Sequence, residues 1–360
     1  MQLTSKRQTT GTPNWPGFDH PEFDGHEKIV FGHDAATGLY TVIAIHDTRL
    51  GPALGGCRMW PYGSTDEALT DALRLSRGMT YKNALAGLDF GGGKAVIIAD
   101  PEVHKTPELM RAFGKKVDAL GGLYITAEDV GLTPSDIEMI GCATKHARGT
   151  AQNHRGDPSP YTALGVYNGI QAALSHKYGS SDLHGRKVSI QGLGNVGFTL
   201  ARFLHHAGAE LIVSDINEKS VDRAINAFGA KSVDTEDAHK VEADIFAPCA
   251  LGAGLNTVTI PQLGAPIIAG SANNQLAEPD DGEALAARGI LYAPDYVINA
   301  GGVIALARHD VEDEVLEADV RSIGDTLTTI FKRADAENAP TDVVADRIAE
   351  ERLMAAGEIS

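Results

Sequence analysis

Apolar and polar positions along the first part of the chain follow two different periods. Strand-like alternation occupies residues 27–48, after a polar, proline-bearing stretch over 1–25 that predicts a loose N-terminal arm. A helical period begins after Ser64, and Ser64 with Glu67 predicts a capping box. The pattern predicts a helix over 65–83.

Short apolar runs then alternate with helical segments. Residues 94–100 and 123–126 are typical of buried strands, and a helical stretch begins near Pro107 between them. A polar, turn-rich segment at 147–160 follows, which indicates a domain boundary at about residue 150. This first half is predicted to be α/β.

The second half contains a compact strand, turn, helix and strand. A strand at 187–191, a glycine-rich turn, a helix at 195–207 and a strand at 210–215 follow one another directly. This succession predicts a right-handed βαβ unit in a doubly wound sheet.

The chain ends in two amphipathic patterns, which predict helices over 311–335 and 341–356. We expect these helices to return to the first domain. The predicted fold class is α/β with two domains and a cleft between them. The domains are 1–150, joined by the helices of 321–360, and a Rossmann domain over 151–320.

Composition excludes several classes of function. The chain has 31 Lys and Arg against 48 Asp and Glu, a formal net charge of -17, so no nucleic-acid partner is expected. Cys57, Cys142 and Cys249 lack the spacing of a disulfide framework or a zinc site, so no metal is expected. The apolar runs are too short to span a bilayer and the start has no secretory pattern, so we expect a cytoplasmic protein without a membrane partner.

The turn after the 187–191 strand has the spacing of a dinucleotide site. Glycines placed as GxGxxG, directly after a strand and at the start of a helix, allow a pyrophosphate to approach the backbone and the helix N-terminus. Its residues are Gly192, Gly194, Asn195, Val196 and Gly197. Asp215 ends the next strand, where a carboxylate binds a ribose 2′-hydroxyl and repels a 2′-phosphate, so NAD is predicted as cofactor. The alternative is a tight turn that binds no nucleotide.

Two lysines and an aspartate stand at unusual positions. Lys82 shares a helix face with Met79, and Lys94 follows three glycines at the start of a strand. A lysine directed into that sheet would lose solvation, which favours the neutral amine that a base requires. Asp129 follows a buried strand, with Glu128 as the competing choice. Taken singly, each also fits a solvated helix end, a strand edge or a helix cap.

Eight segments resemble one family in their order along the chain. They are TRLGPALGG (48–56), RLSRGMTYKNALAGLDFGGGKAVI (74–97), YITAEDVG (124–131), DPSPYTALGVY (157–167), QGLGNVG (191–197), APCALGA (247–253), GSANNQL (270–276) and APDYVINAGGVI (293–304). The chain closely resembles the leucine, phenylalanine and valine branch of the amino-acid dehydrogenase family, over about residues 28 to 306.

The resemblance implies NAD-dependent, reversible oxidative deamination of an L-amino acid to a 2-oxo acid and ammonia. It implies that Lys82 binds the substrate carboxylate, that Lys94 activates the water that attacks an imine, and that Asp129 exchanges protons with the amine. It also implies a homo-oligomer in which the first domain binds substrate and forms subunit contacts.

Further roles follow from the same resemblance. Thr162 and Asn274 would hold the nicotinamide and the substrate amino group, and backbone at Gly55 and Gly56 would approach the carboxylate. An apolar side-chain pocket would be formed by Leu54, Met79, Ala127, Val303 and Leu306.

The pocket residues favour a branched-chain, leucine-like substrate. Leu54 stands where glutamate-specific relatives carry a lysine, which disfavours glutamate. Arg148 stands where leucine-type members have threonine, and Leu306 is larger than the usual valine; we expect Arg148 to point outward because an unpaired buried guanidinium is costly. Alternatives are an aromatic amino acid (phenylalanine or tryptophan) as substrate, a 2-hydroxy-acid dehydrogenase, or a non-catalytic NAD-sensing protein.

Overall fold

The computed structural model describes residues 18–150, 157–250 and 252–357. In the first part, a five-stranded sheet has the order β1-β2-β4-β3-β5. Its elements are β1 (Lys28–Asp34), β2 (Leu39–Asp47), β3 (Ala53–Trp60), α1 (Thr65–Leu85), β4 (Gly91–Ile98), α2 (Pro107–Asp118), β5 (Tyr124–Glu128) and α3 (Pro134–Gly141). Strand β3 runs parallel to both β4 and β5, whereas β2 is antiparallel to β1 and β4.

Helices cover both faces of this sheet. Apolar residues of α1 pack against β2 and β4 on one face, and α2 and α3 pack on the other. The helix predicted over 65–83 is confirmed and continues to Leu85. The predicted capping box is half formed: Ser64 Oγ accepts from the Glu67 backbone N–H, but the Glu67 carboxylate accepts from Gly63, not from Ser64. The turn before the helix brings the Gly63 N–H within reach instead.

A six-stranded sheet with the order β11-β10-β9-β6-β7-β8 forms the second part, and every pairing in it is parallel. Its elements are α4 (Ser159–Tyr178), β6 (Lys187–Gln191), α5 (Asn195–His206), β7 (Glu210–Ser214), α6 (Glu218–Phe228), β8 (Lys231–Ser232), β9 (Ile245–Pro248), β10 (Ile267–Ile268), α7 (Asp281–Ala287), β11 (Leu291–Tyr292), α8 (Asp295–Ile298) and α9 (Gly301–Ala307). The strand order reverses between β6 and β9, so a crevice opens at their carboxyl ends. The predicted α/β fold class and βαβ unit are confirmed.

Three helices end the described chain: α10 (Asp313–Arg321), α11 (Ile323–Glu337) and α12 (Thr341–Gly357). The prediction of a single helix over 311–335 is therefore wrong, because the helix is interrupted at Ser322. There the Ser322 hydroxyl donates to the Asp319 carbonyl, a local bond that competes with continued helix.

Helix α12 lies against α1. The Arg352 guanidinium donates to the carbonyls of Ala84 and Leu88, and the Tyr81 hydroxyl donates to Glu350. The bonds of Arg352 satisfy carbonyls at and just beyond the C-terminal end of α1. In the described ranges, no helix combines the length and the apolar character that crossing a membrane requires.

Candidate active site

Strands β4 and β5, which flank β3 in the first sheet, bring Lys94 and Asp129 into direct contact. The Lys94 ammonium lies 2.7 Å from Asp129 Oδ2, and Lys94 is only 6% exposed. The register across β3 aligns Ala95 of β4 and Glu128 of β5 with the same residue, Cys57, so their neighbours Lys94 and Asp129 lie close together. Glu128, the competing choice, is exposed. The sequence-predicted pair thus forms the centre of a polar cluster.

Asp129 is held as a carboxylate. Burial acts to raise its pKa, but the charges of Lys94 and Arg58 outweigh burial and bring the pKa to about 2. Arg58 Nε lies 3.2 Å from the same oxygen that Lys94 contacts. Sequence reasoning missed Arg58; the available signal was an arginine inside a buried strand, two residues after Gly56.

Lys82 lies on the last turn of α1, beside the same cluster. Burial lowers its pKa to about 8; the charges of Asp295 and Asp129 oppose this effect, and that of Lys94 adds to it. Its ammonium is 3.4 Å from Asn273 Oδ1, an oxygen that also accepts from Asn299 Nδ2 at 2.7 Å. The side chain that reaches Lys82 from the second part of the chain is therefore Asn273.

Asn274, the residue singled out from the sequence, lies next to Asn273 and joins two segments of the chain through its backbone. Its backbone is left-handed, with φ 52°, and its carbonyl accepts from Ala253 N at 2.6 Å. Neighbouring Gln275 N donates to Asp295 Oδ2 at 2.8 Å. Burial raises the pKa of Asp295, while backbone bonds and Lys82 oppose the rise. Asp295 was missed because its sequence context indicates only the start of a helix.

The glycine-rich turn lies at the crevice between β6 and β9. Gly192 has φ 98°, and a Cβ there would lie 2.6 Å from the backbone N of Ala250, just after β9. A Cβ at Gly197 would lie 2.0 Å from the Gly192 carbonyl, whereas one at Gly194 would meet nothing within 4 Å. Two glycines are therefore required by packing, and the third leaves open space in front of the helix.

Several observations fit a dinucleotide at this turn. Helix α5 has no side-chain cap, so the backbone N–H groups of Asn195 and Val196 face the open space beside Gly194. The Asp215 carboxylate accepts from the N–H groups of Leu193 and Asn217, which places it at the rim of the turn. A Cβ at Gly302 would lie 2.8 Å from Thr162 Oγ1, so Thr162 packs closely against α9.

Known proteins match the chain over nearly its whole length. Residues 26–146 match the Glu/Leu/Phe/Val dehydrogenase dimerisation domain, and residues 157–218 and 215–334 match Glutamate/Leucine/Phenylalanine/Valine dehydrogenase. The chain belongs to the Glu/Leu/Phe/Val dehydrogenase family. It is an amino-acid dehydrogenase, as the resemblance implied.

Relatives of this dehydrogenase are named for different amino acids. Leucine dehydrogenase of Geobacillus stearothermophilus is 52% identical over 340 residues, 93% of each chain. L-tryptophan dehydrogenase of Nostoc punctiforme is 48% identical over 332 residues, 91% of this chain and 94% of the relative. The crystal structure of L-tryptophan dehydrogenase from Nostoc punctiforme superposes with a TM-score of 0.83 at 46% identity, covering 92% of this chain and 97% of that chain.

In this dehydrogenase, Gly55 and Gly56 are required by contacts within the sheet. A Cβ at Gly55 would lie 1.8 Å from the Gly93 carbonyl, and one at Gly56 would lie 2.6 Å from the Glu128 carbonyl. Close approach of a ligand carboxylate was the reason expected for these glycines; strand packing is a second and sufficient physical reason.

The five predicted pocket residues come from both parts of the dehydrogenase. Leu54 and Ala127 are buried on the adjacent strands β3 and β5. Met79 on α1 approaches β3, since its Cγ would lie 3.2 Å from a Cβ at Gly55. Val303 and Leu306 are half-buried, three residues apart on α9.

We had expected the Arg148 side chain to point outward, but part of it is buried. Its backbone N–H donates to the Thr126 carbonyl at 2.8 Å, so the segment extends the edge of β5. Its Nε is buried and has no hydrogen-bond partner in the part of the chain that the structure describes. Gly149 beside it lies against Leu306, since a Cβ there would be 3.9 Å from Leu306 Cδ2. Because this segment pairs with β5, the Arg148 side chain is buried at Nε.

Proposed function

We propose that this dehydrogenase catalyses the NAD-dependent, reversible oxidative deamination of an apolar L-amino acid, with a branched-chain, leucine-like side chain preferred. The observation that carries the proposal is the Lys94–Asp129 ion pair with Lys82 beside it. Two lysines and a carboxylate supply a carboxylate-binding group and two proton-transfer groups, which deamination requires. The 52% identity to a leucine dehydrogenase supports the side-chain preference.

Each residue of the cluster has one task in this reaction. The Lys82 ammonium binds the substrate carboxylate, for which it exchanges its long contact with Asn273. Asp129 takes a proton from the substrate amine. NAD, when bound, accepts a hydride from the substrate α-carbon. Lys94 takes part as the neutral amine, after its ammonium proton has passed to solvent: Nζ takes a proton from the water that attacks the substrate imine, and the ammonium so formed returns that proton to the nitrogen that leaves as ammonia. The carbinolamine hydroxyl gives its proton to solvent as the carbonyl forms.

The turn at Gly192 and Asp215 is proposed to hold the pyrophosphate and the adenine ribose of NAD, with Thr162 and Asn274 beside the nicotinamide. Support comes from the uncapped start of α5, the open space at Gly194 and the placement of Asp215 at the rim.

We also propose a separate role for each of the two parts of the chain. Residues 1–150, with the helices of 321–360, bind substrate and form the subunit contacts of a homo-oligomer, and residues 151–320 bind NAD. The match of residues 26–146 to a dimerisation domain supports subunit contacts there. The unpaired thiols of Cys57, Cys142 and Cys249 support a reducing, cytoplasmic location.

A substrate panel tests the proposal. We expect kcat/KM to be highest for leucine, valine or isoleucine, lower for phenylalanine and tryptophan, and lowest for glutamate. In the reverse direction, NADH oxidation with the 2-oxo acid is expected to require ammonium. Oxidation without ammonium would indicate a 2-hydroxy-acid dehydrogenase, and no turnover with any of these would indicate an NAD-sensing protein. A maximum with tryptophan would move the preference to aromatic side chains.

Replacing Asp215 by alanine is expected to weaken NAD binding by about 1–3 kcal/mol, because charge-assisted bonds to the ribose are lost. The structure adds a second reason, since the carboxylate also holds Leu193 and Asn217. Dissociation constants for NAD and NADP, measured for Asp215→Ala and for the isosteric Asp215→Asn, separate the two contributions. If the NAD-to-NADP ratio stays at its wild-type value in both variants, the ribose assignment is wrong.

Binding of the substrate carboxylate is expected to weaken as pH rises through about 8, where Lys82 loses its charge. Above that pH, the dissociation constant of an unreactive carboxylate such as 4-methylpentanoate should rise about tenfold per pH unit. Calorimetric titrations from about pH 6 to about pH 10 measure this in the presence of NADH. The matched control is Lys82→Arg, whose guanidinium stays charged throughout. A flat wild-type profile would count against Lys82 as the carboxylate ligand.

A further inference from the structure

Arg58 connects the catalytic carboxylate to a second carboxylate outside the site. Its Nε lies 3.2 Å from Asp129 Oδ2, and its Nη1 lies 2.9 Å from Asp71 Oδ2 on α1. The Tyr62 hydroxyl donates to that same Asp71 oxygen at 2.5 Å. Burial and Asp71 both raise the pKa of Tyr62, so it remains a neutral donor. The guanidinium is therefore fixed from both sides.

The two cations on Asp129 Oδ2 differ in one chemical respect. Lys94 can lose its proton, and the proposed reaction requires it to do so; Arg58 stays charged at any pH at which the protein is folded. While Lys94 is neutral, the guanidinium is the charged group among the described residues that still contacts this carboxylate.

We propose that Arg58 is a positioning residue that holds the Asp129 carboxylate in place and ionised while Lys94 is neutral, with Asp71 and Tyr62 fixing the guanidinium. The inference rests on the proposed function, because that function makes Lys94 pass through a neutral state. An arginine suits this task better than a lysine, because its planar fork reaches two carboxylates at once from one strand position, whereas a lysine supplies the charge without the second contact.

Charged groups approach Asp129 from three elements. Lys94 projects from β4, Arg58 from β3, and Lys82 acts from α1 at longer range. Two buried acids lie nearby, Cys57 and Tyr124; burial raises the pKa of each, so both stay neutral. The balance that lowers the Asp129 pKa against burial is therefore set by cations, of which Lys94 and Arg58 are in contact.

The most direct test replaces Lys94 by methionine, a side chain of similar length that is neutral at every pH. In Lys94→Met, the carboxyl ¹³C resonance of Asp129, assigned with Asp129→Asn, is followed against pH in the ligand-free protein. We expect its midpoint to lie below the ordinary value for aspartate, and to rise by about one unit or more in the double variant Lys94→Met/Arg58→Met. Equal midpoints in the two proteins would overturn the proposal, and so would a lowered Tm without a change in midpoint.

Two further variants keep the proposal falsifiable if the double variant does not fold. Asp71→Asn in the Lys94→Met protein retains the charge of Arg58 but frees the guanidinium, so a smaller rise in midpoint is expected. Arg58→Lys should restore a low midpoint. The control is Arg111→Met, which removes a half-buried arginine of α2, paired with Glu108 and away from the Asp129 cluster, and should leave the midpoint unchanged.

Kinetics provide a second readout with Lys94 intact. Arg58→Met should lower kcat on the order of tenfold to a hundredfold with little change in KM, and Arg58→Lys should recover part of the loss. An unchanged kcat in Arg58→Met would overturn the proposal. If the wild type deaminates no amino acid, the proposed function fails, and the carboxyl titration still decides whether Arg58 holds Asp129.

Discussion

Replacing Lys94 by alanine is expected to reduce kcat by about three orders of magnitude or more, while NAD binds with nearly wild-type affinity. Lys94 is the buried ammonium that touches Asp129, and no other lysine contacts that carboxylate in the described ranges. Alanine removes the proton acceptor for the attacking water. The dinucleotide turn, on the other sheet, is left unchanged.

Turnover with leucine and fluorescence titration with NADH measure the two halves of this prediction. A matched control is Lys105→Ala, which removes a partly buried lysine in the segment between β4 and α2, paired with Asp136 at 3.0 Å and separate from the cluster. The control should keep its turnover. Near-normal turnover in Lys94→Ala, or an equal loss in Lys105→Ala, would show that Lys94 is not the base.

Asp129→Asn is expected to lower kcat by about 10² to 10⁴-fold. Asparagine preserves the shape but neither accepts a proton from the substrate amine nor provides the charge that pairs with Lys94 and Arg58. Arg58 would keep its pair with Asp71, but the buried Lys94 would lose the carboxylate that it contacts. Steady-state kinetics with leucine, together with a Tm to confirm folding, measures the effect.

The neighbouring carboxylate supplies the control for this prediction. Glu128 is exposed and comes directly before Asp129, so Glu128→Gln removes the same charge one residue away. It should reduce kcat by less than about threefold, as expected for a surface position. If Glu128→Gln loses turnover and Asp129→Asn keeps it, the two carboxylates have been assigned in the wrong order.

Features that depend on local sequence were predictable. The turn at Gly192 and the strand at 187–191 follow from glycine spacing and a short apolar run, and both occur where predicted. The sequence singled out Lys94 and Asp129 one at a time; their contact depends on the register of β4 and β5 against β3.

Features that depend on pairing between distant segments were not predictable. The sheet order with β2 antiparallel to β4 is decided by register between strands, which hydrophobic periodicity does not specify. Arg58 became part of the site only when β3 was placed between β4 and β5, and Asn273 only when the second part of the chain met Lys82. Burial of Arg148 Nε likewise depends on the backbone bond between Arg148 and Thr126.

The bond from Arg352 to the end of α1 also constrains the order in which the protein can mature. A ribosome delivers the chain from its N-terminus, and Ala84 leaves the exit tunnel 268 residues before the arginine whose guanidinium binds its carbonyl. The strands of the six-stranded sheet, from β6 to β11, are all synthesised in that interval. The Ala84 carbonyl, on the helix turn that carries Lys82, therefore gains its partner only after the whole six-stranded sheet has been synthesised.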